Sequence, residues 1–175
     1  KWHVGDHPNF LPHKQGFDSY FGIPYSNDMN RKAVPLPLLR NETVIEAPVD
    51  QRMITSRYTK EIVRFIYGNK DKPFFIYLPH TFPHVPLFAS SRFKGKSERG
   101  RYGDTIEEID WSTGEILKAL KDMENKGYAF EAADASFHIL IQKVLKEHKA
   151  FFELDGFRVI VEKRSKNEPC RSEAT

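Results

Sequence analysis

The sequence predicts an α/β fold, and two helical patterns on either side of one apolar strand carry that prediction. Apolar residues recur with helical spacing over 51–67. The run 74–78 is apolar, has the length of a strand and stops at prolines and histidines. A second amphipathic pattern covers 105–122, with Asp104 or Thr105 as its predicted N-cap. This order of elements is typical of an α/β domain.

Other parts of the chain carry weaker patterns. Residues 30–50 contain three prolines and are predicted to form a long connecting loop. A helical apolar stripe runs over 130–145. Asp155-Gly156 lies between two apolar segments and predicts a hairpin turn. The C-terminal part therefore predicts an α+β arrangement of a helix followed by a hairpin.

Composition narrows the classes of function. With 175 residues, 39% of them hydrophobic and 29% charged, the chain is long enough for one globular domain. Its net charge of +3 is too small to indicate a nucleic-acid partner. No apolar run reaches the ~18 residues of a membrane-spanning helix, so no membrane span is predicted. The single cysteine, Cys170, excludes an internal disulfide.

The opening residues, Lys1-Trp2-His3-Val4-Gly5, place a histidine two positions after a lysine. The ammonium group donates up to three hydrogen bonds, and an imidazole exchanges a proton near neutral pH. Such a pair is suited to hold a tetrahedral oxyanion. Taken alone, a pair of this kind is more often a solvated surface pair.

Two later segments support the interpretation of this lysine and histidine as a pair that holds an oxyanion. The segment 16–28 reads G-F-D-S-Y-F-G-I-P-Y-S-N-D and includes Ser26, and the segment 73–86 ends in P-H-V-P around His84. With the opening K-W-H-x-G, these segments resemble the type I sulfatases of the arylsulfatase A branch over residues 1–122. The resemblance implies an alkaline-phosphatase-like α/β fold and sulfuric ester hydrolase activity.

The resemblance also implies roles for particular residues of this sequence. Lys1 would contact a sulfate oxygen, and Ser26 would contact the substrate. His84 would contact the ester oxygen and act as an acid, while His80 would shape the loop. His3 is the implied catalytic residue, because it would assist the proton movements that regenerate the nucleophile.

The family chemistry needs two further groups. One is a formylglycine formed within a C/S-x-P/A-x-R motif, and the other is a calcium ion held by an Asp pair and an Asp-Asn pair. Neither set is present in the 175 residues, and the surroundings of Cys170 do not match the motif. We therefore predict no metal ligands and no turnover by this chain alone. The implied substrate is a sulfate ester, either a small molecule or a sulfated glycan or lipid.

The C-terminal part resembles another family. The segments 125–137 and 151–164 are similar to citramalate synthase, a relative of isopropylmalate synthase, where they lead from linker helices into the regulatory domain. The prediction is a chimera, with a partial sulfatase-like domain over 1–122 and a synthase-like fragment over 123–175.

Two alternatives to a sulfatase fragment stay open at this point. The chain could be a non-catalytic fragment of the synthase, an acyltransferase, or a remnant whose C-terminal helices self-associate. A sulfatase parent would be periplasmic, secreted or lysosomal, whereas a synthase parent would be cytoplasmic. The sequence alone leaves the origin of the chimera and the identity of the substrate open.

Overall fold

The fold is taken from a computed structural model, which describes residues 1–128, 131–135, 138–142, 153–154 and 157–158. The chain forms two compact units that are not contiguous in sequence. The first unit comprises Lys1–Val63 and Pro79–Ile116. The second comprises Arg64–Leu78 and Leu117–Thr175.

The first unit contains a small antiparallel sheet in the order β1-β2-β3. Its strands are β1 (Phe21–Gly22), β2 (Leu38–Arg40) and β3 (Thr43–Glu46). The prediction of a long loop over 30–50 was therefore wrong. Asn41 connects β2 to β3 with a φ of 54°, in the left-handed region that short polar residues tolerate. Its backbone N–H donates to the Tyr20 carbonyl oxygen at 2.8 Å, so the turn is tied to the chain just before β1.

The predicted first helix is confirmed. A 3-10 turn over Gln51–Met53 leads into α1 (Ile54–Gly68). The Asp50 side chain caps the turn by accepting the Arg52 N–H at 3.1 Å. Spacing of four residues places one apolar face of α1 in the interior of the first unit, where Ile54, Tyr58 and Ile62 are buried.

The predicted strand is confirmed as β4 (Phe75–Pro79), and the second predicted helix as α2 (Gly100–Glu124). The predicted N-cap was wrong, because α2 begins at Gly100 and Asp104 lies inside its first turns. The Asp104 carboxylate is buried and accepts backbone N–H groups of the preceding loop instead of capping its own helix. No helix in the described residues is both long and apolar enough to cross a membrane.

The second unit contains a sheet in the order β4-β6-β5. Strands β5 (Glu131–Ala135) and β6 (His138–Gln142) pair antiparallel, with Ala133 opposite Leu140. The helix predicted over 130–145 was therefore wrong. Short apolar runs suit a buried strand as well as a helix, and the run 139–141, Ile-Leu-Ile, is rich in β-branched residues.

A separate pair of short strands follows in the second unit. Strands β7 (Glu153–Leu154) and β8 (Phe157–Arg158) pair antiparallel, with Leu154 opposite Phe157. They flank the predicted turn at 155–156, whose two residues lie outside the described ones.

Candidate functional site

The opening segment of the chain is fixed by backbone hydrogen bonds to the residues that follow β1. The Trp2 N–H donates to the Ile23 carbonyl oxygen at 3.0 Å, and the His3 N–H donates to the Pro24 carbonyl oxygen at 2.9 Å. The Trp2 indole N–H donates to the Phe10 carbonyl oxygen at 2.8 Å. The opening segment therefore runs beside the segment that ends in the predicted substrate-binding serine.

This arrangement brings Lys1 to Ser26. The Lys1 Nζ donates to the Ser26 Oγ at 3.3 Å, although the two residues are 25 positions apart. Burial lowers the pKa of the Lys1 side chain, and the negative charge of Asp28 opposes that shift. One of the three donors of the ammonium group is thus used within the protein, which leaves two for an oxyanion.

Ser26 is buried and precedes the 3-10 turn Asn27–Met29. A serine at this position usually accepts a backbone N–H of the turn, but the Ser26 side chain makes no such capping bond. Its hydroxyl interacts with Lys1 on one side and with Asp28 on the other. The local sequence therefore frees the serine side chain from the backbone and presents it to charged partners.

Asp28 joins the predicted residues electrostatically. Its hydrogen bond with the Ser26 hydroxyl is the main reason why the pKa of the exposed Asp28 carboxyl lies below its usual range. Electrostatic interactions with His84 and Lys1 shift the pKa of Asp28 in the same direction. Lys1, Ser26 and His84, which come from three distant parts of the sequence, thus all act on one carboxylate. Sequence reasoning assigned no role to Asp28, although its position directly after Ser26-Asn27 was a usable signal.

His84 lies in an exposed loop between two cis peptide bonds, Phe82–Pro83 and Val85–Pro86. Its Nδ1 is 2.6 Å from the Val85 carbonyl oxygen. A carbonyl oxygen only accepts hydrogen bonds, so this contact places the hydrogen on Nδ1. The Nε2 atom is then the ring atom that can exchange a proton with a ligand.

A buried asparagine ties the Ser26 segment to the His84 loop. Asn27 is fully buried, and its Nδ2 donates to the Pro86 carbonyl oxygen at 3.0 Å and to the Gln51 Oε1 at 3.2 Å. The Gln51 Nε2 in turn donates to the Asn27 carbonyl oxygen at 3.2 Å. These bonds fix both loops to the turn that precedes α1.

Tyr58 of α1 makes a second connection of the same kind. Its buried hydroxyl accepts the Ile23 N–H at 3.2 Å and lies 3.2 Å from the Thr81 Oγ1. Ile23 precedes Ser26, and Thr81 precedes His84. The sequence places Tyr58 only within the helix predicted over 51–67, because hydrogen bonds between distant segments leave no local pattern.

His3 stands apart from the other three predicted residues. Its φ is 56°, an uncommon left-handed conformation for a residue other than glycine. Its side chain is exposed, and within the described residues it forms no hydrogen bond with Lys1, Ser26 or His84. His80, predicted to shape the loop, is half-buried directly after β4. Cys170 lies outside the described residues.

The described residues do not fit a calcium site. Among them, no three histidine, cysteine or carboxylate side chains are grouped so that they could hold a metal ion. Asp28 is surrounded by a lysine, a histidine and a serine, which do not complete the set of oxygen ligands that calcium requires.

Comparison with known proteins identifies the family. The sulfatase family profile matches residues 1–130. The chain is 38% identical over 137 residues to the N-acetylgalactosamine-6-sulfatase of Mus musculus, a match covering 70% of this chain and 26% of that protein. It is 36% identical over 104 residues to the steryl-sulfatase of Homo sapiens, covering 58% of this chain and 18% of that protein. The chain belongs to the sulfatase family.

A solved structure agrees with this assignment at the level of the fold. The crystal structure of Ps i-CgsB in complex with k-i-k-neocarrahexaose aligns with a TM-score of 0.56 and 23% identity, covering 81% of this chain and 43% of that one. The chain therefore has a sulfatase-like α/β fold. The chain spans 26% of the length of the N-acetylgalactosamine-6-sulfatase of Mus musculus that it matches.

Proposed function

We propose that residues 1–122 carry the sulfate-binding part of a sulfuric ester hydrolase of the arylsulfatase type. The observation that carries the proposal is the 3.3 Å contact between the Lys1 Nζ and the Ser26 Oγ, beside a carboxylate that also interacts with His84. A lysine with free donors, a serine that caps no backbone and a histidine with an available Nε2 are suited to a tetrahedral oxyanion.

Each residue has a separate task in this proposal. Lys1 neutralises a sulfate oxygen, and Ser26 orients the ammonium group by accepting one of its hydrogens. The His84 Nε2 donates a proton to the ester oxygen as the alcohol leaves, because the bond from Nδ1 to the Val85 carbonyl fixes the ring. His3 takes part in proton transfer from the exposed end of the opening segment.

Hydrolysis also needs a nucleophile on sulfur, and the 175 residues contain no complete C/S-x-P/A-x-R motif. The chain assayed alone is therefore proposed to bind sulfate without turning over an ester. The family relatives are named for an amino-sugar sulfate and a steryl sulfate. The proposed substrate is limited to what these names share, which is the sulfate ester group.

The test is a titration of the chain with inorganic sulfate. Binding is measured by calorimetry and by the NMR shifts of the lysine side chains. Lys1→Met removes the ammonium group and keeps most of the aliphatic stem. It should weaken binding about tenfold or more, since a hydrogen bond to a charged group contributes about 1.5–3 kcal/mol. Lys14→Met is the matched control, because Lys14 is exposed and belongs to no part of the site. Equal affinities of the two variants would contradict the proposal.

The synthase-like assignment of residues 123–175 stays a prediction. The family match continues to residue 130, past the predicted boundary at 122, and none of the relatives named above is a synthase. Strand β4 also shares a sheet with β5 and β6, which come from the other side of that boundary. These observations favour a sulfatase fragment over a synthase fragment.

A further inference from the structure

We propose that residues 91–101, which form a loop and the first two residues of α2 and are called the basic loop, bind a sulfated glycan chain at a site separate from the Lys1–Ser26 contact. Five cationic side chains belong to this loop and fall within ten consecutive positions. All five are exposed: Arg92, Lys94, Lys96, Arg99 and Arg101. The loop contains a single acidic residue, Glu98. The charge of the chain is thus concentrated locally, since its net charge is only +3.

The backbone of the basic loop is held in one conformation. The Asp104 carboxylate accepts the N–H groups of Gly95 at 2.7 Å, Lys96 at 3.0 Å and Ser97 at 2.8 Å. At the start of the loop, the Glu108 carboxylate accepts the Ser90 N–H at 2.8 Å. The cations are therefore presented from a fixed backbone, which reduces the ordering cost of binding a polymer.

The two carboxylates below the loop do not cancel its surface charge. Asp104 and Glu108 are 2% and 1% exposed. Both oxygens of Asp104 accept backbone N–H groups, and one oxygen of Glu108 accepts the Ser90 N–H. Within the described residues, none of the five cations forms an ion pair with an acidic side chain. Apart from Glu98 in the loop itself, Glu107 and Asp110 of α2 are the nearest exposed acids in sequence. The positive charge of the loop therefore faces solvent.

Arg92 has a fixed orientation as well as a fixed backbone. Its guanidinium carbon lies 4.7 Å from the centre of the Trp111 ring and 5.2 Å from that of the Phe93 ring. An arginine stacked in this way keeps the N–H groups at its edge available, and their planar fork suits two oxygens of one oxyanion. Arg92 is therefore suited to bind one sulfate group of a chain.

A sulfated glycan is the partner that these features fit best. A polymer with repeated sulfate groups can contact several of the five cations at once, whereas a single sulfate ion cannot. Tyr102 directly follows the basic loop and is 54% exposed, so its ring can stack on a sugar. The choice of a glycan over a nucleic acid rests on the proposed function, in which this protein acts on sulfate esters.

The experiment measures binding of dextran sulfate to the 175-residue chain, with unsulfated dextran as the neutral polymer. Lys94→Ala/Lys96→Ala should weaken dextran sulfate binding about tenfold, which corresponds to about 1.4 kcal/mol shared by two exposed charge contacts. Lys118→Ala/Lys121→Ala removes the same number of exposed charges from α2 and should leave the affinity within about twofold. Binding of wild type should also fall steeply with added salt.

Lys1→Met separates this inference from the proposed function, because it removes the sulfate contact and leaves the basic loop intact. Dextran sulfate binding should survive in that variant. Equal affinity of wild type and Lys94→Ala/Lys96→Ala, or loss of binding in Lys1→Met, would overturn the separate site. Binding of single-stranded DNA as tight as that of dextran sulfate would overturn the assignment to a glycan.

Discussion

Replacing Tyr58 by phenylalanine tests whether the two segments that carry Ser26 and His84 depend on one buried hydroxyl. The hydroxyl accepts the Ile23 N–H and lies 3.2 Å from the Thr81 Oγ1. Ile23 is 0% exposed and Thr81 is 2% exposed, so water does not replace the lost partner. Burial raises the pKa of the Tyr58 hydroxyl, which keeps it protonated over the range in which the assay is run.

The magnitude follows from the groups left without a partner. An unsatisfied buried polar group costs about 1–3 kcal/mol, so two such groups should lower the free energy of unfolding by roughly 2–6 kcal/mol. For a chain of this size, each kcal/mol lowers the melting temperature by about 2–4 °C, which predicts a decrease of roughly 4–24 °C. Sulfate affinity should fall too, because both segments that present the site lose an anchor.

The assay is thermal unfolding followed by tryptophan fluorescence. Trp2 and Trp111, the two tryptophans of the chain, both lie in the first compact unit, so the signal reports the unit that holds Tyr58. Tyr102→Phe is the matched control, because that side chain is 54% exposed. A melting temperature of Tyr58→Phe within about 1 °C of the control would refute the reasoning.

Four further predictions concern the loop, a buried acid, activity and association. Asp104→Asn should speed tryptic cleavage in the basic loop, which loses acceptors for its N–H groups, whereas the exposed Asp110→Asn should not. Burial raises the pKa of Glu108, so its ionisation destabilises the folded state above that pKa and the penalty is relieved as pH falls. The stability of wild type relative to Glu108→Gln should therefore rise as the pH falls towards the ordinary pKa of a glutamate, about 4.5, with the exposed Glu107→Gln as control. The chain with added calcium should release no nitrophenol from nitrophenyl sulfate; release that Lys1→Met abolishes would contradict this. Sedimentation velocity should show self-association through open sheet edges, and a single monomeric species would count against it.

The elements that the sequence predicted correctly are those with a local pattern. α1 and β4 were predictable because the spacing of their apolar residues repeats within a few positions. The start of α2 was not, because Asp104 resembles an N-cap in sequence but serves the loop before the helix. Strands β2 and β3 escaped prediction since the prolines that indicate a loop lie outside the paired residues 38–40 and 43–46.

In the candidate site, too, the residues with a local motif were predicted and those without one were not. Lys1, Ser26 and His84 were predicted from short motifs, and the structure connects them through Asp28. The residues that hold them in place were not predicted. Asn27 and Tyr58 act through hydrogen bonds to segments that lie more than 20 positions away in sequence, such as the 59 positions between Asn27 and Pro86. Pairing between such distant segments is set by the fold and leaves no spacing in the sequence.

Asp28 explains how a half-buried lysine can stay ready to bind an anion. Burial alone would favour the neutral amine, and the negative charge of Asp28 opposes that effect. The carboxylate does not pair with Lys1 directly among the described ion pairs; the Ser26 hydroxyl lies between them, bonded to both. An arriving sulfate can therefore take the free donors of Lys1 without first breaking a salt bridge. The same carboxylate repels the sulfate, so the site favours an anion that approaches from the side of Lys1 and His84 over one that approaches across Asp28.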